Sequence, residues 1–342
     1  MEREWMRRVM EGMVEAVRET ALRLEGCVLL TEAATGPFAV TPVIAALAGA
    51  RRVLAVGRDT RFGTASEAFA QVERLAEHCG LGGRIEYGIG RRLDWFAQAD
   101  IVTNSGHVRP IDDEAVGHMR PTCVVPLMYE GWEWRPEDVS LASCNAKGIA
   151  VAGVWESHPA VGVFDYLGPA LLELMGRHDI RPPQRACLVC DNPFERHLLQ
   201  ALKQTGANVE VVRRLLDGQP LGRFDLVVLA LKPEERWALG DAEALALAEA
   251  SETLTIVQFW GDVDRRASQK NGLSVVPTVD PGRGRMGILL SELGPEPAIR
   301  LQTGGLKVGE VMATARRLHP GPDGMAIALQ AALASGFGML PS

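Results

Sequence analysis

The sequence has no apolar run that reaches the roughly 18 residues a membrane-spanning helix needs. Its opening stretch, MEREWMRRVMEGMVEAVRET, alternates charge with Met and Val, which excludes a signal peptide or an anchor. Basic charge is not in excess. The formal net charge is -7, which gives no electrostatic footprint for nucleic acid or an anionic membrane. There is no HExxH or H-x-x-x-H pair, and the acids are spread along helix faces, so no metal site is expected. The six cysteines are scattered. Cys187 and Cys190 form a CxxC, but they sit in the apolar strand ACLVC, where an i, i+3 pair points to opposite faces. With no second CxxC to complete a zinc site, they read as buried structural thiols. No solenoid period appears. These absences leave a soluble, cytoplasmic protein as the expectation.

What is present points to an α/β protein. At 342 residues the chain is long enough for two domains with separate cores. The stretch from Ala142 to Val212 closes one α/β unit, runs through a long apolar helix and a Pro-containing break (RHDIRPPQ), then opens a fresh strand-helix-strand unit. The expected fold class is therefore two Rossmann-like, doubly wound parallel-sheet domains with a cleft between them. The first domain is expected over 1–165, flavodoxin- or Rossmann-like, joined by a C-terminal helix in 322–342. The second is expected over 166–321.

In the first half, CVLLTE, RRVLAVG, RIEYGIG, ADIVTN and TCVVPLM read as strands alternating with helices. Ligands in such sheets bind beyond the carboxyl ends of the strands. The exit loops are Thr31 to Gly36, Arg58 to Thr64 and Thr103 to Arg109, rich in Gly, Thr, Ser and Arg. Gly36 gives backbone freedom, and Thr35 or Thr41 is placed to cap the next helix. Arg58 and Arg61 either face a phosphate, a 2′-phosphate being one candidate, or are solvated surface arginines. Asp112, Asp113 and Glu114 open a helix and read as capping and dipole chemistry. The aromatic loop Tyr129 to Trp134 is either a lid or an interdomain packing plug. The N-terminal residues 2 to 24 read as an amphipathic helix with Trp5, Val9, Met13 and Val17 on its apolar stripe, an arm for its own domain or for a dimer partner.

The second unit has CDNPFE where a dinucleotide fold would carry G-x-G-x-x-G. Asp191 and Glu195 there oppose a diphosphate, and side chains block close backbone approach. Further on, Gly282-Arg283-Gly284-Arg285 and Thr303-Gly304-Gly305-Leu306-Lys307 read as flexible cationic loops, either anion-binding or ordinary turns with solvated bases.

Residues 100 to 275 resemble, in order and phrasing, the D-isomer-specific 2-hydroxyacid dehydrogenases. ADIVTNSGHVRPIDDEAV resembles the family's substrate-loop strand and following helix. VSLASCNAKGIAVAGVWESHPAVGVFDYLGPALLELM resembles its strand and crossover helix, and RACLVC with LLQALKQTGANVEVV occupies the place of its nucleotide-binding strand and helix. The resemblance implies the two-domain fold, a nicotinamide cofactor and a homodimer. It also implies a substrate carboxylate at the Asn104-Ser105-Gly106 loop. The family's glycine fingerprint is absent, Trp260 in FWGDVD stands at its arginine position, and after His197 no histidine follows until His319, so its late histidine is missing.

The expectation that follows is a divergent oxidoreductase using NADP or NAD on a small anionic metabolite, a carboxylate or phosphate. Gly36, Arg58, Arg61, Thr103 and Asn104 are the cofactor-binding candidates. Ser105, Gly106, Arg283, Arg285 and Lys307 are the substrate anchors. His107 and His158, which both follow strands, are the candidates for proton transfer. Two other readings fit the same residues: a transferase or lyase that uses a nucleotide or phosphorylated metabolite without nicotinamide, and a non-catalytic ligand-binding protein.

Overall fold

The computed structural model describes residues 2–61, 63–216, 223–251 and 253–342. The chain divides into two compact units. Unit 1 is Met1–Val163 with Pro295–Ser342, and unit 2 is Phe164–Gly294.

Unit 1 opens with α1 (Glu2–Glu19), β1 (Val28–Glu32), α2 (Val40–Leu47) and β2 (Arg52–Gly57). There follow α3 (Ala65–His78), β3 (Ile85–Ile89), α4 (Leu93–Phe96) and β4 (Ile101–Val102). Then come α5 (Asp113–His118), β5 (Val124–Leu127), α6 (Leu141–Lys147) and β6 (Ala150–Val154). Unit 2 holds α7 (Leu167–Arg177), β7 (Arg185–Cys190), α8 (Glu195–Gln204), β8 (Asn208–Val212) and β9 (Leu226–Ala230). It ends with α9 (Asp241–Ala250), β10 (Thr255–Trp260), α10 (Arg265–Lys270) and β11 (Ser274–Val276). The chain then returns to unit 1 as α11 (Glu296–Leu318), α12 (Gly324–Ala334) and β12 (Gly338–Met339).

The sheet of unit 1 runs β12-β6-β5-β4-β1-β2-β3, with β12 antiparallel and the rest parallel. Its first six strands thus take the 3-2-1-4-5-6 order of a complete dinucleotide-type sheet, with the switch point between β1 and β4. Strands β1, β5 and β6 are buried along their whole length, as a parallel sheet covered on both faces requires. The sheet of unit 2 runs β11-β10-β9-β7-β8, all parallel. Counted within the unit this is the shorter 2-1-3-4-5 order, with the switch point between β7 and β9.

Helix α11 corrects two expectations. Residues 295–321 belong to unit 1, not to the second domain, and Thr303 to Lys307 are helix, not a cationic loop. The glycines serve close packing on the sheet. A Cβ on Gly304 would lie 2.8 Å from Val161 and 2.9 Å from Val154, one on Gly305 2.6 Å from the Met128 sulfur, and one on Gly309 2.9 Å from Ile101. Helical glycine costs about 1 kcal/mol against alanine, and here the closeness of helix to strands requires it. Lys307 is no free anchor either. Its Nζ donates to both carboxylate oxygens of Glu310 (2.9 and 3.0 Å) and to the Ala21 carbonyl (2.9 Å).

Helix α1 packs on α11 and α2 of its own unit. Its buried stripe is Met6, Val9, Met13 and Ala16, so Trp5 and Val17 fall one position off it, and Trp5 is exposed. The aromatic loop after β5 packs inward as well. Tyr129 and Trp134 lie against the core of unit 1, and the Trp134 indole donates to the Val139 carbonyl (3.1 Å).

Candidate functional site at the strand ends of unit 1

Parallel strands bring the exits of β1, β2, β4, β5 and β6 to one edge of the sheet. At the switch point the exits of β1 and β4 meet through hydroxyls. Thr103 donates to Thr31 Oγ1 (2.9 Å), and its oxygen lies 2.7 Å from that of Ser105. Thr31, Thr103, Asn104 and Ser105 are all buried.

Glu32 ends β1 and lies in the same place, buried at 8% exposure. Its Oε2 accepts the main-chain N–H of His107 (2.9 Å). Burial pushes its carboxyl above the usual range, against the opposing pull of that N–H bond, His107, Arg109 and Arg58. A Cβ on Gly106 would come within 3.3 Å of Glu32 Oε2 and 3.9 Å of Arg109 Nη2, so a glycine lets this loop lie over the carboxyl. Arg58, at the end of β2, reaches across and donates to the Gly106 carbonyl (2.8 Å). Arg109 is held by Asp138 (2.6 Å), which also accepts the Tyr129 hydroxyl (3.0 Å). The result is a buried acid under a polar loop, with one exposed arginine bridging above it.

The His107 ring places Nδ1 3.1 Å from the Ala33 carbonyl. A carbonyl only accepts, so Nδ1 carries the proton and Nε2 is the acceptor of the neutral ring. Asn104 takes the Met128 N–H on its Oδ1 (2.7 Å), which fixes the amide orientation and leaves the buried Nδ2 without an acceptor. A buried donor without a partner costs about 1–3 kcal/mol.

Other expected residues have different surroundings. Gly36 is in the left-handed region (φ 70), but its N–H is given to Gln71 Oε1 (3.0 Å) and its carbonyl accepts from Gln71 Nε2 (3.2 Å). Thr35 makes no side-chain cap, and Thr41 is buried and donates to Gln302 (2.8 Å). Asp59 and Thr64 instead cap the start of α3, which shapes the loop that carries Arg58 and the exposed Arg61. Phe62 of that loop lies outside the described residues. His158 stacks on Phe337 (centroids 3.9 Å apart), accepts the Ala160 N–H on Nδ1 (3.1 Å) and has its pKa lowered by burial. Its ring is engaged in packing at the end of β6. Arg283 and Arg285 belong to unit 2. Arg283 pairs with Asp262 (3.4 Å), donates to the Glu235 carbonyl (2.9 Å) and lies over Trp237, while Arg285 is exposed.

Sequence reasoning missed Glu32, Arg109 and Asp138. A glutamate closing a strand of five buried residues was the available signal for the first. It also missed a buried pair at the ends of β5 and β6. Glu130 accepts the Glu156 N–H (2.9 Å) and the Trp132 indole (2.5 Å). The Glu156 carboxyl is pushed well up by burial and by Glu133 and Glu130.

At the corresponding ends of unit 2, Asn192 bridges the β7–α8 turn. Its Nδ2 donates to the Ala230 carbonyl (2.7 Å) and its Oδ1 accepts the Phe194 N–H (3.1 Å). Asp191 Oδ1 accepts from Asn192 Nδ2 (3.1 Å) and from the Lys232 N–H (3.3 Å). Phe194 stacks on Trp260, with ring centroids 5.1 Å apart. Cys187 and Cys190 are buried free thiols.

Both sheets are doubly wound, and together they define a two-domain α/β protein with one domain inserted into the other in sequence. No family model matches the chain, and no curated protein does. Among solved structures it is similar to a dipicolinate synthase subunit from Bacillus halodurans, with 14% identity over 83% of this chain and 98% of that one and a TM-score of 0.52. It also aligns with a glyoxylate reductase from Paecilomyes thermophila (14% identity, 75% of this chain and 93% of that one, TM-score 0.45). A third match is a putative D-3-phosphoglycerate dehydrogenase from Ralstonia solanacearum (10% identity, 90% and 99%, TM-score 0.47). The likeness to the first is one of fold and covers nearly the whole of that protein. Among the described residues no helix is long and apolar enough to cross a membrane, and no cluster of His, Cys, Asp and Glu is arranged to hold a metal.

Proposed function

We propose that the chain is an enzyme that handles a small carboxylate- or phosphate-bearing metabolite at the strand ends of unit 1. The observation that carries this reading is Glu32, a buried carboxyl of raised pKa at the switch point, under a glycine loop and beside Arg58 and Arg109. A buried acid whose carboxyl is pushed above the usual carboxylate range is suited to holding and moving a proton. In this reading Arg58 exchanges its bond to the Gly106 carbonyl for the anionic group of the ligand, a charge-assisted contact. Ser105 and the open Asn104 amide orient the ligand. Glu32 takes or returns the proton at the adjacent atom, with His107 Nε2 as the second acceptor. The reaction class is proton transfer next to an anionic group, as in a lyase, an isomerising step or a group transfer.

A second reading, an NADP-dependent oxidoreductase with the dinucleotide on unit 1, is favoured by one observation. Arg58 ends the second strand of a 3-2-1-4-5-6 sheet, the position from which a 2′-phosphate is read. Against it stands the turn after β1, where the Gly36 N–H is already bonded to Gln71, so a pyrophosphate finds no open glycine cradle. In that reading Arg58, Arg61, Thr103 and Asn104 would hold the dinucleotide, and it would supply hydride chemistry to the same anionic substrate.

Thermal-shift titration against small carboxylates, phosphate monoesters, NADPH and NADH tests both. A ligand at a hundredfold excess over its dissociation constant adds about 2.7 kcal/mol of apparent stability. The expected result is a shift with a carboxylate or phosphate that Arg58→Ala removes. A charge-assisted bond of about 1.5–3 kcal/mol corresponds to at least a tenfold loss of affinity. A shift that Arg58→Ala leaves intact contradicts the assignment.

A further inference from the structure

We infer that the crevice in which the fold of unit 2 would seat a dinucleotide is closed by the chain's own side chains, so that no nicotinamide dinucleotide binds there. The inference does not depend on the anion site of unit 1. A dinucleotide at a switch point needs three things: close approach to the backbone, free N–H groups at the helix N-terminus, and room for the rings. Each is taken here.

The turn from Cys190 to Phe194 contains no glycine, and its one carboxylate, Asp191, already accepts from Asn192 Nδ2 and the Lys232 N–H. The Phe194 N–H is bonded to Asn192 Oδ1, and the first turn of α8 carries Glu195. Negative charge at both places opposes a pyrophosphate. The ring space is filled as well. Phe194 and Trp260 are 5% and 6% exposed, stacked on each other. Phe164 and Phe259 meet Phe194 edge-on at 5.2 and 6.5 Å, so the stack is held from further sides. Trp260, at the position where the resembled family has an arginine, is thus a packing residue.

One pocket at the ends of β7, β9 and β10, half open to solvent, measures about 10 Å³ and is lined by Asp191, Arg214, Lys232, Trp237 and Asp262 among others. That is the space of roughly one water molecule. Arg214 is paired with Glu234 (3.0 Å) and Arg283 with Asp262 (3.4 Å), which draws these cations to protein acids.

The test is a fluorescence titration of the full chain with NADPH and NADH, in the wild type and in two variants. Arg236→Glu reverses a charge at the rim of that cavity, on a side chain 62% exposed, and leaves the packing alone. Asp191→Asn removes the charge that would face a pyrophosphate. The expected result is either no saturable binding up to about millimolar nucleotide or a dissociation constant that moves less than tenfold in both variants. Saturable binding that weakens tenfold or more in Arg236→Glu, or tightens tenfold or more in Asp191→Asn, overturns the inference.

Discussion

At the switch point of unit 1 the strand ends carry Glu32, Thr103 and Ser105, with Arg58 bridging to a glycine loop above them. At the switch point of unit 2 the same places carry Cys190, Asn192 and, one strand further, Trp260 stacked on Phe194. Both sheets are doubly wound, parallel throughout in unit 2 and in all but β12 in unit 1, so topology alone offers a ligand site in each. In the reading proposed above, the side chains at the strand ends decide which remains one. In unit 1 they are polar and held by glycine-lined loops, with an open amide on Asn104. In unit 2 they bond to each other and pack. The fold therefore sets where a site can be, and the residues at a few strand ends set whether it exists.

The largest effect that can break this comparison is loss of the unit 2 stack. Phe194→Ala removes a buried ring with aromatic neighbours on several sides and should cost about 3–5 kcal/mol in urea unfolding. Its ligand response at unit 1 should stay that of the wild type. A cost under about 1 kcal/mol would mean the crevice is only loosely filled.

A smaller and more local effect concerns Glu32. Its pKa is raised in the folded chain, so its contribution to stability is full below the unfolded carboxylate pKa and is lost as pH rises through the raised value. Glu32→Gln removes that pH dependence, so the variant should gain on the wild type as pH climbs. Anion affinity should follow the same course, falling with rising pH in the wild type as Glu32 ionises and staying flat in the variant. Calorimetric titration across the acid-to-neutral range reads both, and a flat wild-type profile would show that the ligand does not face this carboxyl.

Much of the architecture was legible because buried parallel strands are short apolar runs, and VVPL and LVVLA can be little else. The Gly-rich stretch of α11 reads as a loop for a physical reason. Gly304, Gly305 and Gly309 are there because the helix lies almost in contact with β4 to β6, and no local preference encodes that closeness. The second domain consequently looked longer than it is. In the site, the polar loop from Thr103 to Arg109 was legible from composition. Glu32 was not, since one glutamate at the end of a strand looks ordinary until the loop that buries it is in place. His158 follows a strand, but its ring is committed to Phe337, a neighbour far along the chain.

Hydrogen–deuterium exchange on the full chain, with and without saturating ligand from the panel above, tests the central claim most directly. It compares backbone protection at 31–36, 58–64 and 103–109 with protection at 190–195, 230–237 and 258–264. Slower exchange confined to the first set is the predicted result. Slower exchange in the second set, with the first unchanged, would contradict the account and move the site to unit 2.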